Sequence, residues 1–335
     1  MKKFTRRSPT EARRAEQQES RNTEQELKRT EQQELKRVEH LGLPNCYALT
    51  DGVAEVVVTT DVGPRVLGYA LKGGENVLGE CAGERVETEW GVWRPYGGHR
   101  LWSAPEAKPR SYAPDNEPVA FEQLSEHAIR LTPPAEMRTS LRKEMTLALD
   151  GAGGVTLTHR ITNLGAWRVE LAAWALTIMR GGGTALIPQE PFGPHPECLL
   201  HARPLVVWPY TDMSDARLSF GRKLILVRSD ERAAEPQKIG VGNKRGWAAY
   251  LRGASLFVKR FSYEEGAQYP DAGCNNEVFT AGSFIELESL SPLAALEPGE
   301  TIEHVERWRL FEGVVVGEGD EELYETIAPL VEQVG

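Results

Sequence analysis

The stretch SLRKEMTLALDGAGGVTLTHRITN, from Ser140 to Asn163, decides the fold class. Two runs that alternate apolar and polar residues flank DGAGG, from Asp150 to Gly154. Alternation with a period of two is typical of a β-strand with one buried face. Glycines readily adopt the positive φ angles that a tight hairpin loop requires. The stretch therefore predicts a long antiparallel hairpin.

Similar short runs, separated by Gly, Pro, Asn and Asp, continue from Leu41 to Phe311. Because repeating β-α-β units are missing, a Rossmann fold or an α/β barrel is disfavoured. The sequence predicts an all-β fold, a large antiparallel β-sandwich that buries alternate side chains between two sheets. After Leu41, only GDEELYETIAPLVEQV, near the end, has a helical pattern. It predicts a short C-terminal helix that Asp320 caps and that Pro329 kinks or interrupts.

The first forty residues differ in composition from the rest of the chain. Residues 1–39 carry 11 Lys and Arg against 8 Glu, whereas the whole chain has a net charge of −10. Large apolar residues are too few there for a stripe that buries against a core. We predict a charged helical or disordered arm over residues 1–38 and one sandwich domain over residues 39–335. Such an arm is usually a solvated spacer, and a partner-binding element is the alternative.

Composition and missing motifs exclude several classes of protein. With 40% hydrophobic and 26% charged residues, the 335-residue chain is typical of a soluble protein. No apolar run has the length of a membrane span and no signal peptide is recognisable, so we expect a cytoplasmic protein without a membrane partner. The acidic net charge argues against nucleic-acid binding. The scattered cysteines and the lack of phosphate-loop or metalloenzyme motifs predict no metal and no cofactor. Composition does not predict an oligomeric state.

One aromatic loop has a composition that packing alone does not require. WGVWRPYGGHRLWSAPE, from Trp90 to Glu106, contains three tryptophans, a tyrosine, two arginines and a histidine. Sugar rings stack their C–H faces on Trp and Tyr, which leaves the hydroxyls for Arg, His and carboxylates. His99, Arg100 and Trp102 are therefore candidate sugar-binding residues. The alternative is a loop that covers one edge of the sandwich with buried aromatics.

Two later stretches carry polar groups. In YPDAGCNNEVFT, from Tyr269 to Thr280, amides and carboxylates either satisfy their own backbone or line a polar pocket. A calcium site is conceivable there, but the spacing matches no known loop. In FIELESLSP, from Phe284 to Pro292, Glu286 and Glu288 share one strand face. They either serve one site or lie on the solvated face of a half-buried strand.

These motifs resemble the galactose mutarotase-like proteins, the aldose 1-epimerase superfamily, and in particular a bacterial branch of it. FIELESLSPLAALEPGETIEHVERWRLF resembles the C-terminal signature of the family, and DVGPRVLGYALKGGENVL resembles its early segment. The resemblance covers the order of elements from Val38 to Phe311. It implies that Glu288 is a general base and that Arg100, in YGGHRLW, contacts the sugar.

The middle of the chain departs from the family pattern. In the family this segment holds the histidine that acts as general acid. Here it reads VELAAWALTIMRGGG, with Trp174 and no histidine. His99 is the best substitute, and His195 and His201 are weaker ones. Interconverting sugar anomers needs a base for the C1 hydroxyl and an acid for the ring oxygen, but no cofactor.

The resemblance therefore implies a carbohydrate-binding protein of the aldose 1-epimerase type, whose partner is a small sugar or a glycan end. Two alternatives remain, an isomerase that uses Glu288 and His99 and a non-catalytic module that lacks the usual histidine acid. The residues that we expect to contact the sugar are Arg100, Trp102, Arg65, Trp174, Asn276 and Glu286.

Overall fold

The computed structural model describes residues 35–81 and 83–335, which form two large antiparallel sheets. Most of the predicted arm, residues 1–34, lies outside the described residues. The first strand begins at Lys36, and Val38 in it pairs with Cys46. The predicted boundary after residue 38 therefore falls within a strand, because backbone pairing extends into sequence that has the charge of the arm.

Strands dominate the described residues. The strands are β1 Lys36–His40, β2 Leu43–Thr50, β3 Ala54–Thr59, β4 Arg65–Leu71, β5 Glu80–Cys81, β6 Val86–Thr88, β7 Gly91–Trp93, β8 Tyr96–Gly97, β9 His99–Ala104, β10 Ala120–Ser125, β11 Ala128–Thr132, β12 Leu141–Leu149, β13 Val155–Asn163, β14 Val169–Arg180, β15 Thr184–Pro188, β16 Leu205–Val207, β17 Leu218–Phe220, β18 Leu224–Arg228, β19 Gln237–Val241, β20 Trp247–Arg252, β21 Ser255–Phe261, β22 Asn276–Ala281, β23 Phe284–Leu290, β24 Ala294–Leu296 and β25 Thr301–Phe311.

The two large sheets pack face to face. The 11-stranded sheet runs β1-β2-β3-β4-β9-β14-β23-β22-β19-β16, with β24 beside β14, and the 10-stranded sheet runs β10-β11-β12-β13-β25-β21-β20-β15-β18-β17. Two separate two-stranded sheets are formed by β5 with β8 and by β6 with β7. The stretch from Ser140 to Asn163 forms the predicted hairpin, with Leu149 of β12 opposite Val155 of β13. The predicted antiparallel sandwich is thus confirmed.

Alternation of side chains builds the core between the sheets. Along β12 every second residue is buried, from Leu141 to Leu149. A separate apolar cluster lies where the C-terminal helix packs on the second sheet, with Ile327 and Val331 against Leu224 and Trp247. Burial of such large side chains is the main favourable term in the stability of the fold.

The predicted C-terminal helix, α1, spans Asp320–Val331. Asp320 does not cap it, because Gly319 is the N-cap residue. The Asp320 carboxylate instead accepts backbone hydrogen bonds from Lys223 at 2.7 Å and Leu224 at 2.9 Å, which fasten the helix to β18. The predicted interruption at Pro329 is wrong, since Pro329 lies inside the last turn and the helix continues to Val331.

Shorter helical pieces are a 3-10 helix at Arg110–Tyr112 and one turn at Pro270–Gly273. Among the residues that the structure describes, no helix is both long and apolar enough to cross a membrane.

Candidate functional site

Five adjacent strands of the 11-stranded sheet, in the order β9-β14-β23-β22-β19, carry the candidate site. Side chains alternate between two faces of each strand. One face points towards the second sheet. The other face carries Arg100 of β9, Trp174 of β14, Glu286 of β23 and Lys238 of β19, and it forms the floor of a cavity of about 490 Å³. We call this cavity the cleft.

Arg100 and Glu286 form an ion pair in the floor of the cleft, with 3.0 Å between Nη1 and Oε1. The Arg100 guanidinium lies over the rings of Trp93, 5.3 Å from its centroid, and Trp102, at 4.7 Å. Its Nε and Nη1 atoms are buried and have no hydrogen-bond partner among the described residues. Because the ion pair is not aligned as a hydrogen bond, Arg100 keeps donors for a ligand.

A second charged cluster lies beside the first. Nζ of Lys238 is 3.0 Å from Oε2 of Glu288 and 2.7 Å from Oε2 of Glu277. Glu288 also accepts a hydrogen bond from Nε1 of Trp174 at 2.8 Å. The ring centroids of Trp174 and Trp208 are each 4.7 Å from the ammonium. Lys238 lines the cleft, whereas the two carboxylates lie fully buried beneath it.

Burial and charge set the protonation states of this cluster. Burial raises the pKa of Glu277 well above the ordinary value, and it raises the pKa of Glu288 as well, against the opposing effect of Lys238. Burial alone lowers the pKa of Lys238, but the carboxylates of Glu288 and Glu277 outweigh it and hold that pKa well above the ordinary value. Lys238 is therefore an ammonium throughout the neutral range.

The aromatic walls of the cleft are of two kinds. Trp93, Trp102 and Trp174 are almost fully buried, and Trp102 packs edge-to-face on both of the others. They support the charged groups and offer little free surface. The more accessible rings are those of Tyr112, Trp208, Tyr210, Phe279 and Phe284, all in the lining of the cleft. Tyr210 is 43% exposed, and burial of the remainder raises the pKa of its phenol to about 12.

His99 lies outside the cleft. It neighbours Arg100 on β9, so the alternation of the strand points its side chain to the opposite face, where it is fully buried between the sheets. Its Nε2 atom is 2.7 Å from Nε2 of His159 on β13 of the other sheet. The structure therefore does not bring His99 together with Glu286 or Glu288 on the cleft face.

The buried histidines belong to a directional chain of hydrogen bonds. Lys259 donates to the Thr177 hydroxyl at 2.6 Å, and that hydroxyl donates to Nδ1 of His99 at 2.8 Å. The Nε2–H group of His99 then donates to His159, whose Nδ1–H group donates to the backbone oxygen of His304 at 2.9 Å. A carbonyl only accepts, so the chain fixes one neutral tautomer for each of the two rings.

Glu306 is the anion that balances this chain. It accepts hydrogen bonds from Ser289 at 2.5 Å and from Nε1 of Trp308 at 2.9 Å, and it pairs with Lys259 at 2.9 Å. Ligand atoms of His99, His159 and Glu306 lie within 4.8 Å of one another, as in a metal site. The 2.7 Å contact between the imidazoles is a hydrogen bond, however, because two nitrogens on a tetrahedral zinc lie roughly 3.3 Å apart. The adjacent ammonium also disfavours a metal cation.

The buried imidazoles make the fold sensitive to acid. Burial lowers the pKa values of His99 and His159 and lowers that of His304 to about 3. The unfolded chain binds protons at these residues below about pH 6.5 whereas the folded chain does not, so stability falls as the pH falls. We expect each buried imidazole to lower the free energy of unfolding by about 1.4 kcal/mol for each pH unit below about pH 6.5.

Urea denaturation between pH 7.5 and pH 5.5 measures this loss. Replacing the exposed His201 by Gln is the control and leaves the slope unchanged. A free energy of unfolding that stays constant over this range would contradict the conclusion that the buried imidazoles are neutral.

Arg65 and Asn276 also lie outside the cleft. Arg65 is fully buried, pairs with Asp115 at 2.6 Å and donates to the backbone oxygens of Arg94 and Pro95, so it anchors the connection between β7 and β8. Asn276 faces the interior, where its amide donates to the backbone oxygen of Glu288 at 2.8 Å. Apart from Nε of Arg65, which has no hydrogen-bond partner among the described residues, structural partners account for the burial of both side chains.

A second cavity, of about 580 Å³, lies near the loop of residues 133–138. Four prolines line it, together with Trp90 and Met137. Among its charged side chains, Asp115 is paired with Arg65 and Lys143 with Glu136, whereas Glu117 and Arg138 are exposed to solvent. The cleft is the better candidate site because its donors and carboxylates converge on open space.

Solved structures resemble the described fold. One is a "putative" aldose 1-epimerase from Escherichia coli K12, with a TM-score of 0.50 and 14% sequence identity, covering 80% of this chain and 99% of that chain. Another is a "putative" mutarotase from Salmonella typhimurium. It has a TM-score of 0.52 and 11% sequence identity, and the match covers 83% of this chain and 97% of that chain. A third is a "putative" aldose 1-epimerase from Klebsiella pneumoniae. It has a TM-score of 0.52 and 10% sequence identity, and the match covers 85% of this chain and 82% of that chain.

The chain has the fold of the galactose mutarotase-like proteins. The sequence matches no protein-family model. It also matches no curated protein. At identities of 14% and below, the likeness shows the fold alone.

Within this mutarotase-like fold, Arg100, Trp102, Trp174 and Glu286 line the cleft together, and Glu288 lies directly beneath it. Sequence reasoning missed several lining residues, namely Lys238, Trp93, Trp208, Tyr210, Phe279 and Phe284. The available signal was a lysine inside the otherwise apolar strand segment KIGV, since lysine is rarely buried without a partner.

Proposed function

We propose that the protein binds a saccharide ring in the cleft. The observation that carries this proposal is one row of side chains across three strands of the floor. Cα pairing places Lys238 of β19 opposite Phe279 of β22, and Phe279 opposite Glu286 of β23. A partly buried aromatic ring thus lies between a cation and a carboxylate. That order matches a sugar, which has an apolar C–H face and hydroxyls around its edge.

Size and polarity support the same ligand class. A cavity of about 490 Å³ lies within the usual range for small-molecule sites. Arg100 offers free donors, and Glu286 offers a carboxylate that is 8% exposed and can accept from hydroxyls. Vicinal hydroxyls satisfy donors and acceptors at once, whereas a purely apolar ligand would leave these buried groups without partners.

The proposal has two versions, which differ in turnover. In the first the protein interconverts the anomers of a free aldose, with a carboxylate as the base. In the second it binds a sugar or a glycan end without turnover. Exchange between the anomers of a free sugar distinguishes them, because only the first version accelerates it, and methyl glycosides report binding alone since they cannot open their ring.

Ligand-observed NMR with D-glucose, D-galactose, D-xylose and their methyl glycosides tests the proposal. We expect saturable binding of at least one of these sugars. Absence of binding across the set would count against a monosaccharide site.

Removing the aromatic platform should weaken this binding. We expect Phe279→Ala to lower the affinity about tenfold, because an aromatic contact contributes about 0.5–1.5 kcal/mol beyond its buried area. Phe220→Ala, at a 41% exposed ring on β17 of the other sheet, is the matched control and leaves binding unchanged. Equal affinities for Phe279→Ala and the unmodified protein would place the sugar elsewhere.

A further inference from the structure

Lys238 and Glu286 occupy opposite sides of one ring-sized space. Their strands, β19 and β23, are separated by β22 alone, so their Cα atoms lie roughly 10 Å apart, two interstrand spacings. Phe279 lies between them in the same row. A sugar ring seated on Phe279 would therefore have an ammonium on one side and a carboxylate on the other.

Lys238 has one donor to spare. An ammonium has three N–H groups, of which one donates to Glu288 and a second faces the Glu277 carboxylate, 2.7 Å away in an ion pair that is not aligned as a hydrogen bond. The described residues offer the third no further hydrogen-bond acceptor, and Lys238 lines the cleft. The other central cation, Arg100, is paired with Glu286 and cannot give up a proton in proteins.

The groups expected from sequence are poorly placed for proton transfer. Glu288 is fully buried, and its Oε2 atom is occupied by Trp174 and Lys238. The imidazoles of His99, His159 and His304 lie on the other side of the sheet. No histidine of residues 35–81 and 83–335 lines the cleft.

We propose that Glu286 and Lys238 are the base and the acid that open the hemiacetal ring of the bound sugar, an inference that rests on the proposed function. Glu286 takes the proton of the C1 hydroxyl as the C1–O bond to the ring oxygen breaks, which leaves a C1 carbonyl. The ring oxygen takes a proton from Lys238. After rotation about the C1–C2 bond the same steps run in reverse, so both residues regain their starting states and no co-reactant is consumed.

The chemistry of the ring oxygen suits an ammonium. The oxygen leaves as an incipient alkoxide, which is a stronger base than a lysine amine, so the proton passes to it. The fixed positive charge also stabilises the negative charge that develops in the transition state. Glu277 and Glu288 are positioning residues here, because they hold the ammonium in place without reaching the cleft.

The pH dependence of turnover separates this acid from a histidine. The titratable groups around Lys238 are Glu277, Glu288, Tyr210 and Cys274, and those around Glu286 are Arg100, Glu288, Cys81 and Tyr112. The two carboxylates hold the pKa of Lys238 well above its ordinary value, against the effect of burial. We therefore expect the protein-dependent rate to stay level from about pH 7 to 9, where an imidazole acid with its ordinary pKa would lose its proton.

NMR exchange between the anomers of freshly dissolved α-D-glucose, α-D-galactose and α-D-xylose, corrected for buffer, provides the test. We expect acceleration of at least one sugar. Lys238→Met and Glu286→Gln should each lower the protein-dependent rate by about a hundredfold, whereas affinity for the methyl glycoside falls by less than about tenfold. Lys143→Met breaks another buried Lys–Glu pair, outside the cleft, and controls for loss of stability.

Lys238→Met leaves two carboxylates without their cation, so Lys238→Met combined with Glu277→Gln is the second variant if the single one does not fold. Binding without acceleration would overturn this inference and leave the proposed function standing. A rate that survives in the lysine variants, or that falls between pH 7 and 8, would also overturn it. Failure of every sugar and glycoside to bind would instead remove the proposed function.

Discussion

Replacing Glu306 by Gln should lower the free energy of unfolding by about 3–5 kcal/mol, the cost of breaking a buried ion pair on one side only. Glu306 is fully buried, and Lys259 has no other carboxylate within ion-pair distance among the described residues. The substitution leaves the ammonium buried without its counterion. Equilibrium denaturation with urea at pH 7.5 gives the loss directly.

A matched control lies on the same strand. Glu303 of β25 is half exposed and pairs with Arg160 at 2.7 Å, so Glu303→Gln should cost no more than about 1 kcal/mol. Combining Glu306→Gln with Lys259→Met removes both buried charges and should recover part of the loss. If Glu306→Gln is as mild as Glu303→Gln, the buried Lys259–Glu306 ion pair does not stabilise the fold as expected.

The second large effect concerns ligand affinity. We expect Arg100→Met to weaken sugar binding by about ten- to a hundredfold, because a hydrogen bond from a charged group contributes about 1.5–3 kcal/mol. Arg100→Lys should recover little, since an ammonium lacks the planar fork that Trp93 and Trp102 hold in place. Calorimetric titration with the sugar that binds most tightly measures both variants.

Arg94→Met is the control for this experiment. Arg94 precedes the same glycine-rich bend but does not line the cleft, so its loss should leave the affinity unchanged. Thermal unfolding of each variant shows whether the fold is retained. If the Arg100→Met protein binds the sugar as tightly as the unmodified protein, the guanidinium does not contact the sugar.

The fold was predictable because its signals are local. Alternation around DGAGG, for example, set both strands of one hairpin and the turn between them. The same rule placed Glu286 and Glu288 on one face of β23. It does not say how deep each residue lies, and depth separates the two, since Glu286 reaches the cleft and Glu288 lies beneath Lys238.

Tertiary pairing limited what the sequence could reveal about the site. His99 and Arg100 are neighbours in sequence, but their side chains point to opposite faces of β9. The motif alone does not show that both residues lie in a strand, because it does not show where the strand begins. Lys238 meets Glu288 only because β19 and β23 both pair with β22, which is a long-range arrangement. No spacing rule in a single sequence connects residues 50 positions apart.

A crystal structure of the protein with its bound sugar, or with the corresponding methyl glycoside, tests the central claim most directly. We predict a sugar ring with its C–H face on Phe279 and with hydroxyl oxygens about 3 Å from Arg100, Glu286 and Lys238. Density for the sugar at another surface, with the cleft filled by water or closed side chains, would contradict the claim.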